Sequence, residues 1–137
     1  RVYLTPTCSG DEFMYDVSRE ADVPIIPAEV PIKMGGSILS GAEVFITGRY
    51  HPSILASLGG TPCVFLGSDS HKTRSIQDVL RYETKTQFSV LPDEQEVEEI
   101  RKLAKQYLSR GYSLRSDIRS KARECAESAR RVVDLIE

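Results

Sequence analysis

The stretch that most limits the fold is "EVFITGRYHPSILASLGGTPCVFLG", residues 43–67. Its two apolar runs, "VFI" and "CVFL", carry hydrophobic side chains at every position instead of alternating, which suits strands covered on both faces. Between them lies a segment of helical character, with Pro52 placed for a first helical turn and Gly59-Gly60 placed to end the helix. Strand, helix and strand in so short a span make a crossover unit. The strands it joins are therefore parallel and the connection right-handed. The same rhythm runs through the preceding residues: "VYLT" (2–5), then Phe13, Met14, Val17 and Ala21 at helical spacing, then "VPII" (23–26) and a segment bearing Ile38, Leu39 and Ala42. After the unit come "SIQDVL" (75–80) and "TQFSV" (86–90). The expected fold class is α/β, a three-layer α/β/α arrangement around a mostly parallel sheet. Ser9 with Glu12, and Asp93 with Glu96, have the spacing of capping boxes at helix starts.

From Asp93 onward the pattern changes. Val97, Ile100, Leu103, Ala104, Tyr107 and Leu108 outline one amphipathic helix; Gly111 breaks it, and Ile118, Ala122, Cys125, Ala129, Val132, Val133 and Ile136 outline a second. Residues 1–92 are thus expected to form the α/β domain, and 93–137 two helices packed on it. The second region is locally basic, while the whole chain has a formal net charge of −2. With no aromatic residues interleaved among the cations, that charge balance argues against a nucleic-acid partner and favours a solvated helix face. No apolar run approaches the roughly 20 residues needed to cross a bilayer, and the chain does not open on a secretory signal. A soluble, cytoplasmic protein is expected. Cys8, Cys63 and Cys125 have neither zinc-ligand nor disulfide-framework spacing and read as free thiols. The chain opens at Arg1 on a strand-like run, as a piece of a longer protein would.

In open parallel sheets, ligands sit beyond the carboxyl ends of the strands. Two consecutive strand ends hold most of the reactive side chains. After "EVFIT" come Gly48, Arg49, Tyr50, His51 and Ser53; after "PCVFL" come Gly67, Ser68, Asp69, Ser70, His71, Lys72 and Thr73. Arginine grips carboxylate or phosphate through two parallel hydrogen bonds, lysine adds a point charge, and helix N-termini favour anions. Histidine moves protons near neutral pH. Glycine at 48 and 67 permits a close backbone approach or positive φ. An anionic, phosphorylated or carboxylated substrate follows, with no cofactor required. Each residue also has a plainer role open to it: His51 and Ser53 as helix caps, Arg49 paired with Glu43, Asp69 in a turn, and Lys72 solvated at a helix start. A metal site from His51, His71 and Asp69 lacks short-range ligand spacing. Glu12 and Glu20 have the spacing found in retaining glycosyltransferases, but lie on the first helix, away from these loops.

Residues 43–73, "EVFITGRYHPSILASLGGTPCVFLGSDSHKT", resemble the distinctive segment of the polysaccharide pyruvyl transferase family. There a strand leads to an arginine, one intervening residue and a histidine, then a small-residue helix, a Gly-Pro-type turn, a strand, and a loop containing lysine. The resemblance implies the C-terminal, Rossmann-like lobe of a two-lobed GT-B-like enzyme, whose missing N-terminal lobe supplies the rest of the cleft. It implies transfer of a pyruvyl group from phosphoenolpyruvate to a saccharide or lipid-linked saccharide, with peripheral contact to a membrane carrying that acceptor. Arg49 and His51 then take the catalytic positions; Gly48, Ser53, Ser68, His71 and Lys72 bind substrate. The chain reads "SDSHK" where many relatives have an aspartate-proline-lysine-like run, which leaves the role of His71 open. The competing readings are a GT-B glycosyltransferase using a nucleotide sugar, and a non-catalytic anion-binding or assembly lobe.

Overall fold

The computed structural model describes residues 1–67, 71–83 and 85–133, and it divides into two compact units, Arg1–Gly35 and Gly36–Glu137. The chain is α/β, and every strand pairing among the described residues is parallel.

In the first unit a single parallel bridge joins Leu4 to Ile25, closed by Leu4 N–H on the Pro24 carbonyl (2.9 Å) and Ile26 N–H on the Leu4 carbonyl (2.8 Å). Helix α1 (Phe13–Ala21) lies between them. The carboxylate at its approach is Asp11, only 2% exposed, which accepts from Thr7 N–H (2.9 Å), Cys8 N–H (3.2 Å) and the Thr7 hydroxyl. Ser9 therefore does not cap this helix as its spacing with Glu12 suggests; Glu12 instead accepts from the Gly10 N–H. The buried Asp11 carboxylate satisfies the backbone donors of the turn that leads into the helix. Asp22 ends the helix in the left-handed region (φ 50°), with the Ser18 hydroxyl donating to the Val23 carbonyl. Helix α2 (Ile32–Gly41) follows.

The second unit contains the crossover. Strand β1 (Phe45–Thr47) pairs with β2 (Cys63–Phe65) in the register Phe45 to Cys63, Ile46 to Val64 and Thr47 to Phe65. Helix α3 (Tyr50–Leu58) makes the connection. Pro52 sits where its missing N–H would have had no partner. The buried face of α3 is Ser53, Ala56 and Ser57, small side chains that let the backbone lie close to its neighbours. Gly59-Gly60 ends it, as expected. Beyond helix α4 (Lys72–Val79), Phe88 bridges to Leu66 and donates its N–H to the Phe65 carbonyl (3.0 Å). The runs expected as strands at 2–5, 23–26 and 86–90 thus each supply one bridge residue, not a ladder.

The long helix α5 (Glu94–Val133) is two helices merged across Gly111, whose φ of 48° and ψ of −125° are not helical. Its start is the capping box expected from the sequence: Glu96 N–H donates to Asp93 (2.8 Å) and Asp93 N–H to Glu96 (3.4 Å). Ile100, Leu103, Tyr107, Leu114, Ile118 and Ala122 join Val64, Phe65, Ile76, Leu80 and Tyr82 in the core. Tyr82 accepts the Cys63 N–H (2.9 Å) and packs edge-on against Phe65.

Half of the ten basic residues of α5 bond to other groups of the chain. Arg115 reaches the carbonyls of Ala42, Ser40 (3.0 Å) and Gly59, and Arg119 donates twice to Gly59 (2.8 and 3.1 Å). Arg110 pairs with Glu83, Arg101 with Glu98, and Lys121 donates to the Arg81 carbonyl. Two of these side chains thereby satisfy the last carbonyls of α2 and α3, where a positive charge also complements the helix dipole. Among the described residues no helix is long and apolar enough to cross a membrane. Among the described residues Cys8, Cys63 and Cys125 form no disulfide.

Candidate functional site

Because β1 and β2 run parallel and in register, the chain leaves both through the same end of the sheet. Gly48 follows β1 and Gly67 lies just beyond β2. A Cβ on Gly48 would stand 2.8 Å from the Gly67 carbonyl oxygen, nearer than real Cβ atoms come. Of the two reasons the sequence offers for a glycine here, close approach is the one realised. Gly48 is not among the positive-φ residues. The two loops are therefore held side by side, and Gly48→Ala is expected to push them apart. It should lower stability by about 1–3 kcal/mol, the usual cost of forcing a methyl into packed backbone, read as a lower urea midpoint. An unchanged midpoint would show that the loops yield freely.

Arg49 stands in extended conformation (φ −97°, ψ 127°) at the N-cap of α3, its N–H donating to the Thr47 hydroxyl (3.0 Å) and its residue exposed to solvent. It does not cap α3 with its side chain. His51 lies inside the first turn of that helix, not at its cap, so the capping role open to it in the sequence is not the one it takes. It is exposed, with its ring edge-on to Tyr50 at 5.4 Å between centroids. Helix α4 begins in the same way. His71 is its N-cap (φ −67°, ψ 0°) without a side-chain cap bond, and Lys72 is its first residue, both exposed. The His71 carbonyl accepts the N–H groups of Arg74 and Ser75, each at 3.1 Å.

Ser53 belongs elsewhere. It is fully buried, its hydroxyl donates to the Tyr50 carbonyl (2.6 Å), and its own carbonyl accepts the Ser57 hydroxyl (2.8 Å). Its polar atoms serve the turn of α3 and face no solvent, so it is left out of the binding set. A helix-period reading assigns it to the α3 face, but only packing shows that face to be closed. Ser68, with Asp69 and Ser70, lies outside the described residues. Among the described residues no three His, Cys, Asp or Glu side chains gather as metal ligands.

Because β1 and β2 are parallel, the chain leaves both at one end of the sheet, where α3 opens with Arg49 and His51; α4, with His71 and Lys72 at its start, follows residues outside the described ones, and neither helix is capped by its own N-cap side chain. Each N-terminus offers backbone N–H groups and the positive end of a dipole, a ready anion site when no internal carboxylate or hydroxyl occupies it. Arginine supplies a fork for planar anions, lysine a movable charge, and the histidines proton transfer.

Residues 3–70 match the family described as polysaccharide pyruvyl transferase, a span that holds Gly48, Arg49, His51, Ser53 and Ser68 and ends directly before His71 and Lys72. No curated protein and no solved structure matched the chain.

Proposed function

On the premise that the chain belongs, through residues 3–70, to the polysaccharide pyruvyl transferase family, we propose that it takes part in transferring a pyruvyl group from phosphoenolpyruvate to a sugar hydroxyl. The observation that supports this reading is the parallel pairing of β1 with β2, from whose shared end α3 opens with Arg49 and His51; the reading brings His71 and Lys72, at the start of α4, to the same edge. Phosphoenolpyruvate is a small dianion-bearing molecule with a phosphate at one end and a carboxylate at the other, and two adjacent helix N-termini suit two anionic groups. Arg49 grips one of them through paired hydrogen bonds, and Lys72 neutralises the other. The chemistry needs a proton delivered to the methylene carbon as a sugar hydroxyl adds to the neighbouring carbon. That carbon then releases phosphate with the C–O bonding pair, and a second hydroxyl of the same sugar adds in its place to complete a ketal; one hydroxyl proton balances the proton gained by the methylene carbon and the other leaves with phosphate. In this reading His51 hands over or takes up a proton, or holds the departing phosphate, and His71 supports the phosphate side. Gly48 contributes by letting the two loops close. We take the chain as one Rossmann-like lobe of a two-lobed, GT-B-like enzyme, the acceptor saccharide, free or lipid-linked, entering from the opposite lobe.

Calorimetric titration with phosphoenolpyruvate and with a nucleotide sugar tests this. Loss of a charge-assisted, forked contact costs about 1.5–3 kcal/mol, so Arg49→Ala should weaken phosphoenolpyruvate binding by roughly 10- to 100-fold. His51→Ala should weaken it less while removing transfer. A nucleotide sugar binding the wild type more tightly than phosphoenolpyruvate, and losing affinity in the same variants, would overturn the reading in favour of glycosyl transfer. Heat from neither ligand would favour a non-catalytic lobe.

A further inference from the structure

Thr47 closes β1 and has no part in the chemistry proposed above, yet it holds both sides of the strand-end junction. It is 6% exposed. It lies opposite Phe65 in the ladder, its carbonyl accepts the Leu66 N–H (3.0 Å), and its hydroxyl accepts the N–H of Arg49, two residues on (3.0 Å). The last bond is a turn of the kind that threonine makes with its own backbone, and it closes across Gly48. A side chain at 48 could not pass the Gly67 carbonyl oxygen, and the glycine that can is the loosest link in a chain. Left alone, Gly48 would let the residue after it point in many directions.

The Thr47 bond removes that freedom. A β-branched side chain has few χ1 choices, so the hydroxyl is itself held in place, and the burial of Thr47 leaves little water to compete for it. Arg49 accordingly stands in extended conformation (φ −97°, ψ 127°), and its carbonyl accepts the Ser53 N–H (3.4 Å), the bond that begins α3. One hydroxyl thus governs the direction in which the Arg49 side chain leaves the backbone and the point at which α3, with His51 in its first turn, sets out. A forked contact with a planar anion depends on that direction, because two parallel hydrogen bonds form only over a narrow range of approach.

We propose that Thr47 is a positioning residue of the strand-end site: by holding the Arg49 N–H it aims the guanidinium at the anionic donor, which Thr47 itself does not touch. This deepens the proposed function and rests on it for the identity of the ligand. A hydroxyl that only shaped the turn would affect stability and leave affinity alone. One that aims Arg49 affects affinity, and does so only while Arg49 is present.

Calorimetric titration of the full chain with phosphoenolpyruvate, run as a double-mutant cycle, separates the two. Thr47→Val keeps the branched shape and removes the acceptor; it is expected to weaken binding by about 3- to 10-fold, the range spanned by one neutral hydrogen bond. Thr47→Ser, which keeps the hydroxyl, should stay near the wild type. Added to Arg49→Ala, Thr47→Val should cost nothing further. Amide hydrogen exchange reads the bond without any ligand: the Arg49 N–H should exchange more slowly in the wild type and in Thr47→Ser than in Thr47→Val. Should Thr47→Val fail to fold, Thr47→Ser against Thr47→Ala isolates the hydroxyl at equal loss of the methyl. Unchanged affinity in Thr47→Val, equal weakening in Thr47→Ser, the same fold loss with and without Arg49, or an Arg49 N–H that exchanges alike in all three proteins would each overturn the proposal. Beside a wild type that binds phosphoenolpyruvate, any of these results sinks the positioning role alone; a wild type that gives no heat sinks the donor assignment and this role together.

Discussion

Gly60→Ala is expected to remove about 3–5 kcal/mol of stability, a third or more of what a domain of this size usually has. Two separate costs add. Gly60 has φ of +87°, where a side chain is strained by roughly 1–3 kcal/mol. Its Cβ would also lie 2.2 Å from the Arg115 carbonyl oxygen, a backbone atom of α5 that cannot step aside without moving the helix. The consequence extends beyond stability, because this junction fixes the far end of α3. Arg115 and Arg119 are bonded to the Gly59 carbonyl, and Thr61 donates to Ser40 (3.1 Å) and Ala42 (2.8 Å). Displacing α5 loosens all of these, and with them the helix that presents Arg49 and His51. Thermal melting should fall by more than 10 °C, at roughly 4 °C per kcal/mol for a chain of this length. Gly35→Ala, in α2 with nothing within 4 Å of the new methyl, is the control of opposite sign, expected to gain about 0.5–1 kcal/mol. If the two variants melt together, the Gly60 argument fails.

The glycines also show what could be read from the residues alone. Gly59-Gly60 marks the end of α3 in the sequence because glycine after a helical run is a local signal. Asp93 with Glu96 is equally local, and its reciprocal hydrogen bonds form as the spacing requires. The strand ends were legible for a related reason: unbroken apolar runs force parallel pairing, and parallel pairing places consecutive loops together. What escaped notice depends on partners far away in sequence. "VYLT", "VPII" and "TQFSV" have strand composition, but each meets a neighbouring strand at one residue only, and nothing within six residues reports that. Arg115 and Arg119 look like cations of a solvated helix face until α5 is laid against the carbonyls at the ends of α2 and α3, more than 50 residues earlier. The cap expected of Ser9 is not among the bonds at the start of α1, while the buried Asp11, which no spacing rule singles out, binds the turn ahead of the helix at Thr7 and Cys8. Ser53 illustrates the same limit at the site: its type fits phosphate binding, while its burial is a property of the whole fold.

Raising the pH above about 9 is expected to destabilise the fold steeply, and Cys63 is the main reason. It opens β2, is 1% exposed, and burial pushes its thiol from the ordinary 9.0 up to about 12, with the hydrogen bonds from Ser57 and Tyr82 only partly opposing. Burial, with the nearby Cys63, likewise raises Tyr82, and Tyr107 is pushed from 10.0 to about 12. All three are neutral when protonated and anionic when not. Below the unfolded value both states hold their protons, so the contribution is intact. Above it the unfolded chain releases protons that the native chain still binds, and stability falls at about 1.4 kcal/mol per pH unit for each such group. For Cys63 the loss therefore starts near 9.0 and runs until about 12, amounting to roughly 4 kcal/mol in all. Urea midpoints between about pH 8 and 10.5, a window placed below most tyrosine titration, should decline in the wild type. In Cys63→Ala they should decline much less, even though that variant starts from a lower midpoint at neutral pH. Equal slopes in the two proteins would show that the thiol titrates in the native state as it does in the unfolded one. The interior beneath α3, where Cys63 packs against the Ser53 carbonyl, would then be open to water.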